Sequence, residues 1–188
     1  MRDFLRRFRE SAAHYKSIKA LTLCAMFIAL NIVLDFFSLQ LTPTLRLGFG
    51  FLTSAMVGML FGPAMAMGTG FATDILSFLL INSRSGGYFP GFTISAIVGG
   101  LIYGTVLYKR PIKLWRSFAA KGLINVVVNI GLNTLWLSFT QGKAVSILII
   151  DRIIKNACLW PIESILLFLV SVMVYKVAQR SGIVRAGV

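Results

Sequence analysis

The sequence predicts an all-α integral membrane protein, a six-transmembrane-helix bundle with an amphipathic interfacial helix at the N-terminus. Of its 188 residues, 57% are hydrophobic and 13% are charged, and the mean hydropathy is +0.82. An ordinary soluble domain has about 25% charged residues, and a soluble core of this size could not bury so much apolar surface. The apolar residues also fall into six segments separated by turns and basic loops. We therefore treat residues 1–188 as a single membrane domain.

Residues 1–16 form the predicted interfacial segment. Phe4, Leu5, Phe8, Ala12 and Tyr15 recur at three- and four-residue steps, with arginines between them. This spacing places the apolar side chains on one face of a helix and the cations on the other, which is typical of a helix lying on a membrane surface.

The six predicted spans occupy residues 17–180. Gly62 and Pro63 separate the second span from the third as a tight turn, and Pro161 predicts a bend in the last one. The second span is shorter than the roughly 20 residues that a membrane-normal helix needs, so its neighbours would have to shelter it. The spans are about Ile18–Leu39, Phe49–Phe61, Ala64–Leu80, Gly91–Tyr108, Ala119–Phe139 and Ser146–Gln179.

The basic residues predict the orientation. A cytoplasmic N-terminus places 14 of the 19 Lys and Arg residues inside, Lys121 among them, and five outside, in line with the positive-inside tendency. Both termini of this multi-pass protein of the cell membrane are then cytoplasmic. The net charge of +13 is divided among separate loops beside lipid, which favours anionic lipid headgroups as partners and not nucleic acid.

Five basic residues lie at the predicted outer side, against that tendency. They are Arg46, Arg84, Lys143, Arg152 and Lys155. The simplest reason to keep cations there is an anionic ligand that arrives from outside. Lys143 lies in a polar turn and is expected to be merely solvated.

Polar side chains within the apolar spans are costly and usually functional. Arg152, Lys155 and Asn156 share one face of the last span by their i, i+3, i+4 spacing. The spans also contain three acidic residues, Asp35, Asp74 and Glu163. Instead of contacting a ligand, they could form ion pairs with the basic residues inside the protein.

The fifth span carries Asn125, Asn129 and Asn133 at four-residue steps, with Trp136 nearly one turn further. Such a stripe faces protein and not lipid. Interhelical hydrogen bonding is favoured for Asn125 and Asn129. Asn133 and Trp136 lie closer to the outer cations, where contact with a ligand is expected.

Two outer loops combine glycines, aromatic rings and an arginine. Residues 86–92 contain Tyr88, Phe89 and Phe92, whose rings offer stacking faces to a flat heterocycle. The alternative is an aromatic belt at the membrane interface. Arg84 precedes these rings and favours a lid over a ligand, and Arg46 lies in a similar segment before the second span.

The sequence contains no nucleophile elbow, no metal-ligand pattern and only one histidine. We therefore expect no catalytic residues, no metal and no cofactor. The protein is predicted not to be an enzyme.

Three segments resemble the S components, the substrate-binding membrane subunits, of energy-coupling factor (ECF) vitamin transporters, and most closely the folate-specific S components. They are Phe49–Asp74, Gly86–Gly104 and Arg152–Glu163. The resemblance implies a subunit that captures extracellular folate and passes it to a transmembrane T component with two cytosolic ATPases. It also implies an outer vitamin pocket, and it places the AxxxA step Ala25 and Ala29 on the surface that meets the T component.

The resemblance and the residues together define an expected site. Folate joins a flat pteridine to a glutamate with two carboxylates, and arginine can hold a carboxylate through two parallel hydrogen bonds. We expect the carboxylate ligands among Arg46, Arg84, Arg152 and Lys155, stacking by Tyr88, Phe89, Phe92 and Trp136, and contacts to the ring edge by Asp74, Asn133 or Asn156.

Three alternatives remain at this point. The vitamin could be riboflavin, thiamine or a biotin-like acid, although a cationic ring of residues suits neither riboflavin nor thiamine. The glycine and alanine surfaces could belong to a membrane scaffold protein without transport function. A membrane enzyme is the weakest alternative.

Overall fold

The computed structural model describes residues 2–42, 45–81, 87–142 and 145–182. Helices build almost all of it, and a short 3₁₀ turn, His14–Lys16, joins the first helix to the second. A π-helical segment, Ile124–Leu132, continues the sixth helix directly into the seventh. The helices are α1 Arg2–Ala13, α2 Ile18–Phe36, α3 Gly50–Phe61, α4 Pro63–Ile81, α5 Pro90–Leu107, α6 Leu114–Leu123, α7 Asn133–Gln141 and α8 Val145–Arg180.

Five helical stretches are long and apolar enough to cross a membrane. They are Ile18–Phe36, Pro63–Leu80, Pro90–Leu107, Leu114–Thr140 and Arg152–Arg180. The fourth stretch includes α6, the π segment and α7. The prediction of a multi-pass helical membrane protein is confirmed at this level.

Helix α3 is apolar but has only 12 residues. Every residue from Ala55 to Phe61 is buried, because α2, α4, α5 and α8 all pack against this helix. The expected shelter for the short span is therefore present.

Small residues let α3, α4 and α5 approach backbone to backbone. A Cβ atom on Gly58 would lie 2.8 Å from the backbone nitrogen of Gly104, and one on Gly70 would lie 2.6 Å from the carbonyl oxygen of Ala96. Such contacts are the usual means of close helix packing in membranes. The glycines thus serve packing within the chain.

A short antiparallel hairpin follows α2, which ends at Phe36 and not at Leu39 as the sequence suggested. Its strands are β1, Leu39–Thr42, and β2, Leu45–Leu47, and Gln40 pairs with Arg46. The Ser38 hydroxyl donates to the Asp35 carbonyl oxygen at 2.6 Å, which satisfies a carbonyl at the end of α2.

Helix α6 begins at Leu114, five residues before the predicted start of the span, and Lys121, which the charge count placed among the cytoplasmic cations, lies within this helix. The Lys121 side chain is 3% exposed, and its Nζ lies 3.2 Å from Oε2 of Glu163 on α8. The partner of Glu163 is thus this buried lysine, whereas the sequence suggested the outer bases of α8. A buried charge needs such a partner.

Helix α1 is attached to the turn between α3 and α4. The buried Ser11 hydroxyl donates to the Phe61 carbonyl oxygen at 2.6 Å and accepts from the Met65 N–H at 3.2 Å. The Tyr15 hydroxyl donates to the Ala64 carbonyl oxygen at 3.0 Å. These bonds fix α1 at the end of the bundle opposite the hairpin.

Candidate ligand-binding site

An aromatic cluster surrounds the start of α5. The Phe89 ring centroid lies 5.8 Å from that of Trp136 on α7 and 6.0 Å from that of Phe92. The intervening Gly91 is buried, and a Cβ atom there would approach the Trp136 ring to 2.6 Å. The Trp136 indole N–H donates to the Ser95 hydroxyl at 3.1 Å. Glycine at position 91 therefore lets the tryptophan lie directly against α5.

A chain of polar groups joins α4 to the segment before α5. The Thr93 hydroxyl donates to Oδ2 of Asp74 at 2.7 Å, and it lies 2.6 Å from the Tyr88 hydroxyl. Asp74 and Thr93 are 6% and 5% exposed. The Tyr88 ring also packs against Phe78, with centroids 5.4 Å apart. Two predicted ligand residues, Asp74 and Tyr88, are thus connected through a threonine that the sequence analysis did not identify.

Amides and an arginine form a second cluster between the π segment and α8. The Asn129 side chain donates to Oδ1 of Asn125 at 2.9 Å and to Oδ1 of Asn156 at 3.2 Å. The Arg152 guanidinium donates from Nη1 to the Asn129 carbonyl oxygen at 2.7 Å. Asn129 therefore forms the expected interhelical bond and also helps to place Arg152.

Two buried amide atoms in this region have no hydrogen-bond partner among the described residues. They are the donor Nδ2 of Asn125 and the acceptor Oδ1 of Asn133. A buried polar atom without a partner is rare in folded proteins and calls for an explanation. Both residues lie on or next to the π segment, a type of helix that often occurs at functional sites. A ligand with its own donor and acceptor groups could satisfy both atoms.

A third polar contact ties the hairpin region to α3. The Asn31 side chain, buried at the end of α2, donates to the Gly50 carbonyl oxygen at 2.8 Å and to the Thr53 hydroxyl. Ser77 on α4 donates to the Asp35 carboxylate at 3.4 Å. The sequence analysis missed the Asn31 contact, although an asparagine inside an apolar span could have indicated it.

The structure distributes the predicted ligand residues over these groups. The aromatic cluster contains Phe89, Phe92 and Trp136, the chain of polar groups contains Asp74 and Tyr88, and the amide cluster contains Arg152 and Asn156. Lys155 lies on α8 close to Arg152 and is half-buried. The Arg46 side chain lies outside the described residues, as do Arg84 and Lys143. Ala25 and Ala29 are exposed on α2.

A family model and two curated relatives indicate the same family for this chain. Residues 19–171 match the family described as ECF transporter, substrate-specific component. The folate transporter FolT of Clostridium novyi (strain NT) is 42% identical over 154 residues, which are 81% of this chain and 88% of that protein. The folate transporter FolT of Leuconostoc mesenteroides subsp. mesenteroides is 33% identical over 147 residues, which are 75% of this chain and 78% of that protein.

A solved structure is also similar. The crystal structure of FolT bound with folic acid matches with a TM-score of 0.75 and 34% sequence identity. The match covers 82% of this chain and 92% of that one.

Proposed function

The chain belongs to the substrate-specific components of ECF transporters, and we propose that it captures extracellular folate and delivers it to a T component and two cytosolic ATPases for uptake. The observation that carries the proposal is the 42% identity to a folate transporter over 88% of its length. The solved relative with folic acid bound supports the same ligand. In this role the chain is a non-catalytic transport subunit, and its partners hydrolyse ATP.

The proposed membrane arrangement has six spans and cytoplasmic termini. The five long apolar stretches supply five of the spans, and the buried α3 supplies the sixth. Phe4 and Leu5 of α1 are exposed beside its arginines, which suits an interfacial helix on the cytoplasmic surface. This topology places the aromatic and amide clusters at the extracellular end.

The aromatic cluster is the proposed pteridine site. Phe89, Phe92 and Trp136 already pack against one another at ring distances of 5.8 to 6.0 Å. A flat heterocycle can replace one of these contacts with an offset-stacked or edge-to-face contact of its own. Tyr88, which is partly exposed, would complete the aromatic wall.

The amide cluster is proposed to read the pteridine edge. Asn133 and Asn156 would meet the donor and acceptor edge, with Asp74 on the α4 side. The unpartnered Oδ1 of Asn133 and Nδ2 of Asn125 supply one acceptor and one donor. This adds Asn125, which the sequence analysis assigned to helix packing, to the proposed ligand residues.

The outer cations are proposed to hold the glutamate carboxylates. Arg152 lies within the amide cluster through its bond to the Asn129 carbonyl, and Lys155 lies close by on the same helix. Arg46 and Arg84, whose side chains lie outside the described residues, are kept as further proposed carboxylate ligands.

Exposed Ala25 and Ala29 on α2 are the proposed contact for the T component. Small side chains let a partner helix approach closely. A surface of this kind suits a subunit that docks and separates during each transport cycle.

Tryptophan fluorescence of the purified protein in detergent tests the proposal. Folic acid should quench the emission, and Trp136→Phe should remove most of the quenching. Trp160→Phe is the matched control, because the Trp160 indole donates to the Phe118 carbonyl oxygen at 3.0 Å and not to a residue of either cluster. A response to riboflavin or thiamine but not to folic acid would assign another vitamin. No response to any of the three would favour a scaffold protein.

A further inference from the structure

The π segment changes the hydrogen-bond register of the stretch that joins α6 to α7. At its start, the Ile124 N–H donates to the carbonyl oxygens of Ala120 and Lys121, four and three residues back. At its end, the Asn133 N–H donates to the Val128 carbonyl oxygen, five residues back. The segment therefore accommodates one residue more than an α-helix would between the same two ends. Helical turns of this kind are rare in proteins, and they occur frequently at functional sites.

Contacts with different helices hold the two sides of the π segment. Before it, Lys121 on α6 lies 3.2 Å from the Glu163 carboxylate on α8. After it, the Trp136 indole on α7 donates to the Ser95 hydroxyl on α5 at 3.1 Å. Each side thus keeps its own rotation about the helix axis, and the extra residue has to be absorbed between them. The tertiary packing therefore holds the π turn at this place in the stretch.

The change of register separates the Asn129 carbonyl from its usual α-helical donor. In an α-helix that donor would be the N–H group four residues later, which is the Asn133 N–H and bonds here to Val128. The Asn129 carbonyl oxygen accepts from Nη1 of Arg152 at 2.7 Å and from the Thr134 hydroxyl at 3.5 Å. Both of these donors are side-chain groups. The π register thus presents a backbone acceptor to Arg152 on α8.

Asn129 contacts two proposed ligand residues at once. Its carbonyl oxygen accepts from Arg152, and its side-chain amide donates to Oδ1 of Asn156 at 3.2 Å. The Asn156 amide in turn donates to the Arg152 carbonyl oxygen at 2.8 Å. Because a guanidinium is planar and rigid, a bond at one of its nitrogens restricts the direction in which its other N–H groups point. The register at Asn129 therefore affects how Arg152 would meet a carboxylate.

We propose that the π segment, acting through the Asn129 carbonyl, is a positioning element of the ligand site and sets the orientation of Arg152 for a carboxylate of the ligand. The inference rests on the proposed function of Arg152 and deepens it, because it assigns a role to the backbone register and not to a further ligand side chain. Asn129 touches no ligand in this role. A continuous α-helix would keep the same side chains and lose the orientation.

A double-mutant cycle tests this role, with folic acid affinity measured by isothermal titration calorimetry on the purified full chain. Deletion of Val126, whose side chain is 64% exposed, removes the extra residue and restores an α-helical register. We expect the deletion to weaken folic acid binding about tenfold, the size of a lost hydrogen bond to a charged group. In an Arg152→Ala background it should weaken binding by no more than about twofold further, because both changes remove the same interaction. A deletion that only damaged the pocket would keep its full effect in both backgrounds.

Gly131→Ala is a second and milder variant. A Cβ atom at position 131 would lie 3.3 Å from the Val126 carbonyl oxygen, so alanine is crowded in the π register, and alanine is also a stronger α-helix former than glycine. Binding should weaken several-fold, again only while Arg152 is present. Gly99→Ala on α5 is the matched control, since a Cβ atom there would meet only the Ile124 side chain at 3.8 Å. If the deletion variant does not fold, as judged by elution volume and thermal unfolding, Gly131→Ala carries the same cycle.

The outcomes separate this inference from the proposed function. Unchanged folic acid affinity in Arg152→Ala would overturn the carboxylate role of Arg152, and this inference with it. If Arg152→Ala weakens binding but the deletion does not, or if their effects add, the inference alone is overturned. Equal effects of Gly131→Ala and Gly99→Ala would also count against the π register.

Discussion

Of the five cations predicted at the outer side, Arg152 and Lys155 are the two that lie on a described helix, and their charges can be removed separately by mutation. Arg152 has a structural contact, the 2.7 Å bond from its Nη1 to the Asn129 carbonyl oxygen. The planar guanidinium can keep this bond and still offer other N–H groups to a carboxylate. Lysine offers a point charge only.

We expect Arg152→Ala and Lys155→Ala each to weaken folic acid binding at least tenfold, with Arg152→Ala the larger effect. Isothermal titration calorimetry on the purified variants measures this, and Lys176→Ala serves as the charge-matched control. If both site variants stay within about threefold of wild type, roughly 0.6 kcal/mol, the carboxylate assignment is wrong.

Thr93 forms hydrogen bonds with two predicted ligand residues. Its hydroxyl lies between the Asp74 carboxylate at 2.7 Å and the Tyr88 hydroxyl at 2.6 Å. Sequence reasoning identified Asp74 and Tyr88 because a buried acid and an aromatic loop are informative types. It missed Thr93, since a threonine in an apolar helix usually bonds to its own backbone and gives no signal.

Thr93→Val removes both hydrogen bonds and keeps the side-chain shape. Burying Asp74 with one donor fewer should cost about 1–3 kcal/mol of stability, and the released Tyr88 should lower folic acid affinity. Thr105→Val on the same helix is the control, because the Thr105 hydroxyl bonds only locally, to the Ile102 carbonyl oxygen at 3.0 Å. Thermal unfolding and calorimetry give the two readouts. Equal behaviour of the two variants would show that the chain of polar groups has no role.

Among the elements, the spans were predictable and their internal irregularities were not. Apolar runs bounded by Gly62 and Pro63 or by loop residues defined the helices to within a few residues. The π segment Ile124–Leu132 was not predictable, because its sequence is ordinary for a helix and only tertiary contacts select the wider turn. The start of α6 at Leu114 was missed since Lys113 and Arg116 made the region look like a loop.

Helix α1 was predicted as a surface anchor, and the structure adds a specific attachment. Its Glu10 carboxylate accepts from Lys109 at 2.7 Å, and the His14 ring meets the Phe61 ring edge to face at 5.7 Å. Burial, and secondarily the Lys109 charge, lower the pKa of His14 below 6.5. The hydrogen bond from Lys109 is the main cause that lowers the pKa of Glu10 below 4.5.

Both pKa shifts have the same consequence for the attachment of α1. A group whose pKa is lowered on docking favours the docked state above its undocked pKa and loses that effect as the pH falls. The His14 contribution is therefore complete above about pH 6.5 and declines below it. The Glu10 contribution declines only below about pH 4.5. Between pH 7.5 and 5.5, His14 dominates.

We expect α1 to detach partly at pH 5.5. A spin label on Leu5→Cys, after the two native cysteines are replaced by alanine, should become more mobile at pH 5.5 than at pH 7.5. His14→Phe keeps a ring against Phe61 without a titratable group, so its label mobility should not change with pH. The same pH response in both proteins would exclude His14 as the cause.

At the scale of the whole molecule, polar groups form a column through an apolar bundle. Arg152 and the amide cluster occupy one end of it, and the Lys121–Glu163 pair lies further toward the other end. The Lys121 ammonium also lies 3.7 Å from the centroid of the Phe51 ring on α3. The pair thereby connects α3, α6 and α8 beneath the proposed ligand site. Charge counting could not find it, because the count treated Lys121 as one of the cytoplasmic cations.

The effects of Lys121 and Glu163 on the free energy of unfolding should be strongly coupled. Removing one partner leaves an uncompensated buried charge, which costs about 3 kcal/mol or more, whereas replacing both with apolar groups is often nearly neutral. We therefore expect Lys121→Met to lower the thermal unfolding temperature strongly and Lys121→Met with Glu163→Leu to recover most of the loss. Glu163→Gln should be milder than Lys121→Met, since the amide still accepts a hydrogen bond from the lysine. Additive losses in the double variant would mean that the pair is not coupled, and that helix packing alone holds α6 against α8.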